Sequence, residues 1–379
     1  MISFRRDRPK FSNLYRSAST NLAFAIYQEF TNRTSQALTE ALGMEGAVEA
    51  LRLEWEHISQ VVPLHVKERM GVDGQGFLFA GYVWNWSDRL WGCDQWSEIT
   101  ASGVRSTVLG CRFAKGSRAL CTAHLHFASA NICTSLAPEH EFVSRSCLND
   151  GDDHCEMLMK AKSTGVDELI SAPAIASILP PPLDEEEMIL WGHSYMGAGW
   201  LTVVKTMVER LGPEVSIERL GPMMHQIGME MAPKVKADLG IDGDDLVSVA
   251  KGLDVLNSSF LQKGALKEPK PSEIERTTSD CPLSGEPPEA CQLFDSFYQG
   301  LVQGLNPGFE FVCSQRMSEG GDICKWSLYD RRKPSPRASD STAPLDPYAL
   351  LSVRYVKGDI SDEEYEKKMT MLRKHHPKG

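Results

Sequence analysis

Cys281, Cys291 and Cys324, with Asp295 among them, form the pattern in this chain best suited to chemistry. Cys291 falls where "EPPEACQLFDSF" turns helical after a Pro-Pro pair. Unpaired N–H groups at a helix start favour a thiolate over a thiol, so Cys291 reads as a candidate nucleophile. Asp295 lies one helical turn on, on the same face, placed to orient a substrate amine or pass a proton. Its charge also opposes a thiolate at Cys291. Cys324 closes the run "MSEGGDICKW", two residues after Asp322. An earlier set repeats the theme with Cys111, Cys121, and "CLNDGDDHCEM", which carries Asp153 and Cys155. There Leu125 stands where Asp295 does, and His124 beside it is a candidate base. A helix histidine in that place is as readily explained by packing.

The two sets keep one register. Gly74 ends "GVDG" and Gly243 ends "GIDG", 169 positions apart, and Cys155 and Cys324 are 169 apart again. Leu42-Gly43 faces Leu211-Gly212, and Val66-Lys67 faces Val235-Lys236, at that same offset. Cys111 and Cys121 face Cys281 and Cys291 at 170. A fixed offset over so long a stretch reads as one domain plan written twice. Within each copy, apolar residues recur every three or four positions up to the "G-x-D-G" end, which predicts helices. "GFEFVCSQRMSEGGDICKWSLY" alternates around a Gly-Gly-Asp turn, which predicts a hairpin. The fold class expected is α+β, with two tandem copies of a helical layer plus antiparallel sheet.

The boundaries that follow are a first domain at 14–162, a Pro-rich and acidic linker at 163–187, and a second domain at 188–329. A disordered linker at 330–345 and a helical tail at 346–374 complete the chain. In the tail, Ser361 and Glu364 have the spacing of a capping box. Four tryptophans, Trp84, Trp86, Trp91 and Trp96, crowd one stretch of the first copy, as core packing or as a lid over an apolar ligand.

Bulk properties exclude several classes. The 379 residues are 42% hydrophobic and 24% charged, ordinary for a globular chain. A net charge of −11 argues against a general nucleic-acid binder. No apolar run is long enough to span a membrane, and the N-terminus lacks the apolar core of a signal peptide, so a cytoplasmic location is expected. The ten cysteines then need a reason other than structural disulfides. No C-x-x-C pair occurs, which argues against zinc, and no metal or cofactor is expected. Cys93, Cys133, Cys147 and Cys313 lack a cysteine at the matching position of the other copy and read as small packing residues.

Cys281-Pro282, Cys291 with Asp295, and Gly320-Gly321-Asp322-Ile323-Cys324 followed by Trp326 together resemble the L-2-amino-thiazoline-4-carboxylic acid hydrolase family. The resemblance covers both copies. It implies hydrolytic opening of a cyclic C=N substrate, with Cys291 as nucleophile, Cys281 and Cys324 lining the site, and Asp295 holding or protonating the substrate nitrogen. It also implies a better-preserved site in the second copy, since Cys111 is followed by Arg112 rather than proline. A more distant likeness is to vinyl-reductase-like domains, which bind ligands or carry redox-active cysteines. The tail, through Arg354, Tyr355, Gly358, Asp359, Ile360, Glu363, Glu364 and Tyr365, resembles the SHOCT module, which implies oligomerisation or docking to a protein partner. The function expected is cysteine-dependent hydrolysis of a C–N bond in a small cyclic or amidine-like substrate. The alternative is a ligand-binding, thiol-redox or metal-sensing module without catalysis.

Overall fold

The computed structural model describes residues 18–70, 74, 76–90, 93–111, 114, 116–178, 185–267, 270, 272–333, 361, 364, 367, 368 and 370. It is a mixed structure of helices and antiparallel sheet. Among the described residues no helix is long and apolar enough to cross a membrane.

The chain opens with α1 (Ala18–Met70), which is broken at Gly43, where φ is +72°. Then come α2 (Phe77–Leu90), β1 (Asp94–Thr100) and β2 (Gly103–Gly110). Next are α3 (Arg118–Ala123), a π-helical turn at His124–Ser129, and α4 (Ala130–Leu136). β3 (His140–Ser146) and β4 (Cys155–Ala161) follow, then α5 (Val166–Ser171) and β5 (Ala176–Ile178). The later part runs α6 (Glu185–Leu211), α7 (Pro213–Asp238), α8 (Leu246–Ser259), β6 (Lys263–Leu266), β7 (Glu273–Asp280), α9 (Pro288–Leu305), β8 (Phe309–Gln315) and β9 (Cys324–Asp330). α6 and α7 part at Gly212, where φ is +87°, 169 positions after the break at Gly43.

The two sheets are ordered β3-β4-β2-β1-β5 and β6-β7-β9-β8. Read from its other edge, the second gives β8-β9-β7-β6, the order of the first without β5. A single 3₁₀ turn links β3 to β4 (Leu148–Asp150) and another links β8 to β9 (Met317–Glu319). Each turn ends on a glycine in the left-handed region, Gly151 at φ +91° and Gly320 at φ +88°. A side chain there would crowd the backbone, so glycine sets the tight return that delivers Cys155 or Cys324 to the next strand. One irregularity separates the halves. From Cys121 to Ala137 is sixteen positions, whereas from Cys291 to Asn306 is fifteen. The π-helical turn absorbs that residue in the first half, while α9 stays regular.

Residues through Tyr329 cluster as one compact unit, with Asp330 onward a second. The expectation of separate domains at 14–162 and 188–329 therefore meets a shared core. Tyr27 and Phe30 of α1 reach into an aromatic group with Trp200, Phe260, Phe294 and Phe297. Tyr27 packs edge-on to Phe260 at 5.1 Å and Phe30 to Phe297 at 4.9 Å. Burying that many rings in one place ties the halves together. Part of the segment expected as linker is built into the fold too, since β5 pairs with β1 through Ile99–Ala176 and its neighbours. Trp84 and Trp86 are each 1% exposed, in keeping with core packing rather than a lid. Trp91, the 334–345 linker and most of the 346–374 tail lie outside the described residues. In the tail the Ser361 and Glu364 pair does close as a capping box: Glu364 N donates to Ser361 Oγ at 3.3 Å, and Ser361 N donates to Glu364 Oε2 at 3.4 Å.

Candidate functional site

α9 begins at Pro288, whose ring suits a first helical turn, and its buried face carries Cys291, Phe294 and Tyr298. Beside it stand the end of β7, the turn after it and the β8–β9 hairpin. Between them lies a cavity of about 50 Å³, room for about four water-sized groups. Cys281, Cys291, Cys324 and Asp295 all line it, so four of the expected site residues converge. Five polar lining residues went unnoticed in the sequence: Asn257, Gln262, Thr278, Tyr298 and Arg316. Asp322 does not line the cavity and is exposed in the hairpin turn, as is Asp153 in the first half. The aspartate of G-x-D-x-C therefore belongs to the turn, not to the pocket.

The charge pattern is set by Arg316. Its Nε donates to Asp295 Oδ2 at 2.7 Å and its other side donates to Glu319 Oε1 at 2.9 Å. Asp295 is only 15% exposed at its side chain. Burial pushes its carboxyl up to about 6, with Arg316 pulling the other way.

The three thiols differ sharply. Burial pushes Cys291 up to about 11; its Sγ lies 4.0 Å from the Leu283 carbonyl oxygen. Cys281 is raised as well, chiefly because it donates its S–H to Cys324. Cys324 is brought down to about 6, first by that bond from Cys281 and then by the Met317 N–H, which meets its Sγ at 3.2 Å. Arg316 adds favourable charge and Asp295 opposes it. The thiolate of this pocket thus falls on Cys324, not on Cys291. Cys291 sits a full turn inside the helix, where desolvation outweighs the favourable field of its start.

The first half gathers its own thiols. Cys121 and Cys147 stand 3.4 Å apart, sulfur to sulfur, and Cys93 and Cys111 3.6 Å. Leu148 N donates to Cys155 Sγ at 3.2 Å, as Met317 N does to Cys324. Cys93, Cys147 and Cys313 were expected as packing residues, yet two of them pair with other thiols and the third lines the cavity. Cys147 occupies the position 169 residues before Arg316, and Asp88 the one before Asn257. His124, the candidate base, is neutral and only weakly basic at neutral pH. Burial lowers it to about 4, and its ring packs 5.0 Å from that of Trp55. Among the described residues no group of three or more His, Cys, Asp or Glu side chains is placed to hold a metal ion.

Comparison with known proteins returned no matching family model, no matching curated protein and no matching solved structure.

Proposed function

We propose that the cavity of the second half is the active site of a cysteine-dependent hydrolase acting on a C–N bond of a small cyclic or amidine-like substrate. The observation that carries this reading is the placement of a low-pKa thiol, Cys324, in the same pocket as a carboxyl raised to about 6, Asp295. Strongly shifted groups that share a cleft are the usual mark of acid–base and nucleophilic work.

In this reading the Cys324 thiolate adds to the C=N carbon. The S–C bond forms, the C=N pair moves to nitrogen, and Asp295 supplies the proton that nitrogen takes up. One nitrogen of this tetrahedral adduct then re-forms a C=N bond as its N–H proton passes through Asp295 to the other nitrogen, which leaves as the amine. Water adds across that C=N, its oxygen to carbon and a proton to nitrogen. The new adduct collapses: the hydroxyl proton returns to Asp295, a C=O forms, and the S–C bond breaks to return the thiolate. Arg316 holds Asp295 in place throughout. Trp326, whose indole N–H has no acceptor among the described residues, offers a further donor to a substrate oxygen. The motif resemblance described above supports the substrate class. The cavity volume favours substrates of a few heavy atoms at the reacting end.

The same reading takes the chain as two copies of one plan, with the second retaining catalysis. Matching strand orders, paired left-handed glycines and equivalent N–H···S bonds to Cys155 and Cys324 support it. Leu125 and Cys147 stand where the hydrolytic pocket has Asp295 and Arg316, so the first copy lacks the acid–base pair.

The test is amine release from a panel of small thiazoline carboxylates and open amidines, with wild type and Asp295→Asn. Wild type is expected to turn over at least one of them. Asp295→Asn is expected to lose about 10²-fold or more of that rate. The same variant keeps a reactive Cys324, and its alkylation midpoint moves down by about half a unit to one unit because the opposing charge is gone. Equal turnover in the variant would refute the role of Asp295.

A further inference from the structure

The first-half thiols are not used by the hydrolytic reading and are arranged differently from those of the second half. We propose that Cys121 and Cys147 form a peroxide-responsive dithiol that closes to a disulfide, a redox site separate from the hydrolytic cavity. The argument rests on where each sulfur sits. Cys121 projects from α3, four residues after its N-cap Ser117, and Cys147 stands just ahead of the 3₁₀ turn that ends at Gly151. Their sulfurs are 3.4 Å apart, so a bond needs them to close by roughly 1.4 Å.

The turn also prepares Cys147 as the attacking sulfur. Its backbone N–H is fixed by Asp152 Oδ2 at 2.7 Å. Hydrogen bonds from Cys121, from Cys155 and from the backbone of Asn149 and Asp150 favour its thiolate. Cys121 and Cys155 are correspondingly held as thiols, each raised chiefly by its bond to Cys147. One thiolate is thus cradled between two thiols, the arrangement that lets one sulfur react and a neighbour resolve it. Cys121 is partly exposed and Cys147 is 7% exposed, which leaves a narrow approach to the pair for an oxidant as small as hydrogen peroxide.

The step balances with hydrogen peroxide as oxidant. The Cys147 thiolate attacks one peroxide oxygen, the O–O bond breaks, hydroxide leaves, and Cys147 becomes a sulfenic acid. The Cys121 sulfur then attacks Cys147, the S–S bond forms, the S–O bond breaks, and water leaves. Two electrons pass from the two thiols to one peroxide. A dithiol reductant reverses the change.

The experiment treats the reduced full chain with hydrogen peroxide, blocks remaining thiols with N-ethylmaleimide under denaturing conditions, and maps peptides by mass. A Cys121–Cys147 cross-linked peptide is expected, one that disappears with dithiothreitol. Cys147 is expected to be consumed at least about tenfold faster than Cys133, whose thiol is pushed up to about 12 by burial. In Cys121→Ser the resolving sulfur is gone, and dimedone should trap the sulfenic acid on Cys147. In Cys324→Ser the cross-link should form as in wild type, which separates this site from the hydrolytic one. The proposal is overturned if Cys121 and Cys147 both remain maleimide-labelled at doses that consume Cys133. Pairing of Cys147 with Cys155 or any other cysteine would overturn it equally.

Discussion

Cys324→Ser is expected to abolish turnover, by at least about a thousandfold, while leaving the fold intact. Serine has nearly the shape of cysteine, so the pocket keeps its walls. Its hydroxyl, however, stays protonated where the thiol ionises, and removing a nucleophile costs several orders of magnitude in rate. Cys291→Ser is the informative contrast, since that thiol is pushed up to about 11 and contributes no nucleophile near neutrality. A modest change is expected there. The two variants also differ in how stability depends on pH. The folded Cys324 gives up its proton near 6, whereas the unfolded chain holds it until about 9. Between those values the unfolded state binds more protons, so wild-type stability gains with rising pH. Below about 6 both states are protonated and that contribution is absent. Cys324→Ser removes this rise, as urea midpoints measured across pH 5.5 to about 9 would read.

Gly300→Ala is expected to be the most destabilising single-methyl change in the described structure's helix layer. A Cβ at Gly300 would lie 1.9 Å from the His225 carbonyl oxygen, and one at Gly228 would lie 2.1 Å from the Phe297 carbonyl oxygen. α7 and α9 therefore meet backbone to backbone, with no flexible side chain to yield. Forcing them apart costs about 3 kcal/mol or more, a drop of roughly 5–10 °C in melting temperature for a unit of this size. Because α9 carries Cys291, Phe294 and Asp295, the cavity would loosen with it. Gly221→Ala on α7 is the control. Its Cβ would meet nothing nearer than Ser296 Oγ at 3.8 Å, an ordinary contact. Alanine's better helix propensity should leave that variant as stable as wild type or more so, by up to about 1 kcal/mol. Thermal melts of the three proteins decide the matter. Equal melting temperatures for Gly300→Ala and Gly221→Ala would show that the helices are not in such close contact.

Much of this arrangement was legible in the residues. The Pro-Pro launch of α9, the Gly-Gly-Asp hairpin between β8 and β9, and the Ser361–Glu364 cap are local devices, and local signals predict them. The shared register of Cys281, Cys291 and Cys324 with the earlier cysteines singled out the three thiols, and the one-turn spacing from Cys291 singled out Asp295. What the chain did not reveal was which thiol ionises. Helix position favoured Cys291, but burial beneath the Leu283 carbonyl overrode the field of the helix start. The deciding donors for Cys324, Cys281 and the Met317 N–H, come from a separate turn and from the adjacent hairpin, and no spacing rule encodes them. Arg316 was missed for a related reason. Its match at the same offset is Cys147, a different residue type, so identity between the halves does not mark it. An unlike pair at one offset, a cysteine against an arginine, was the signal available. Nor could the sequence show that Tyr27 and Phe30 cross into the second half, because that contact depends on how α1 docks against α6 and α9.

The measurement closest to the central claim is the rate of iodoacetamide alkylation against pH, with the labelled peptide identified at each point. Among the thiols of its pocket Cys324 is expected to be labelled first, its rate rising through a midpoint near 6 and flat above about 7.5, while the others still climb toward pH 9 and beyond. First labelling at Cys291, or a single midpoint near 8.5–9 shared by Cys324 and the rest, would contradict the account.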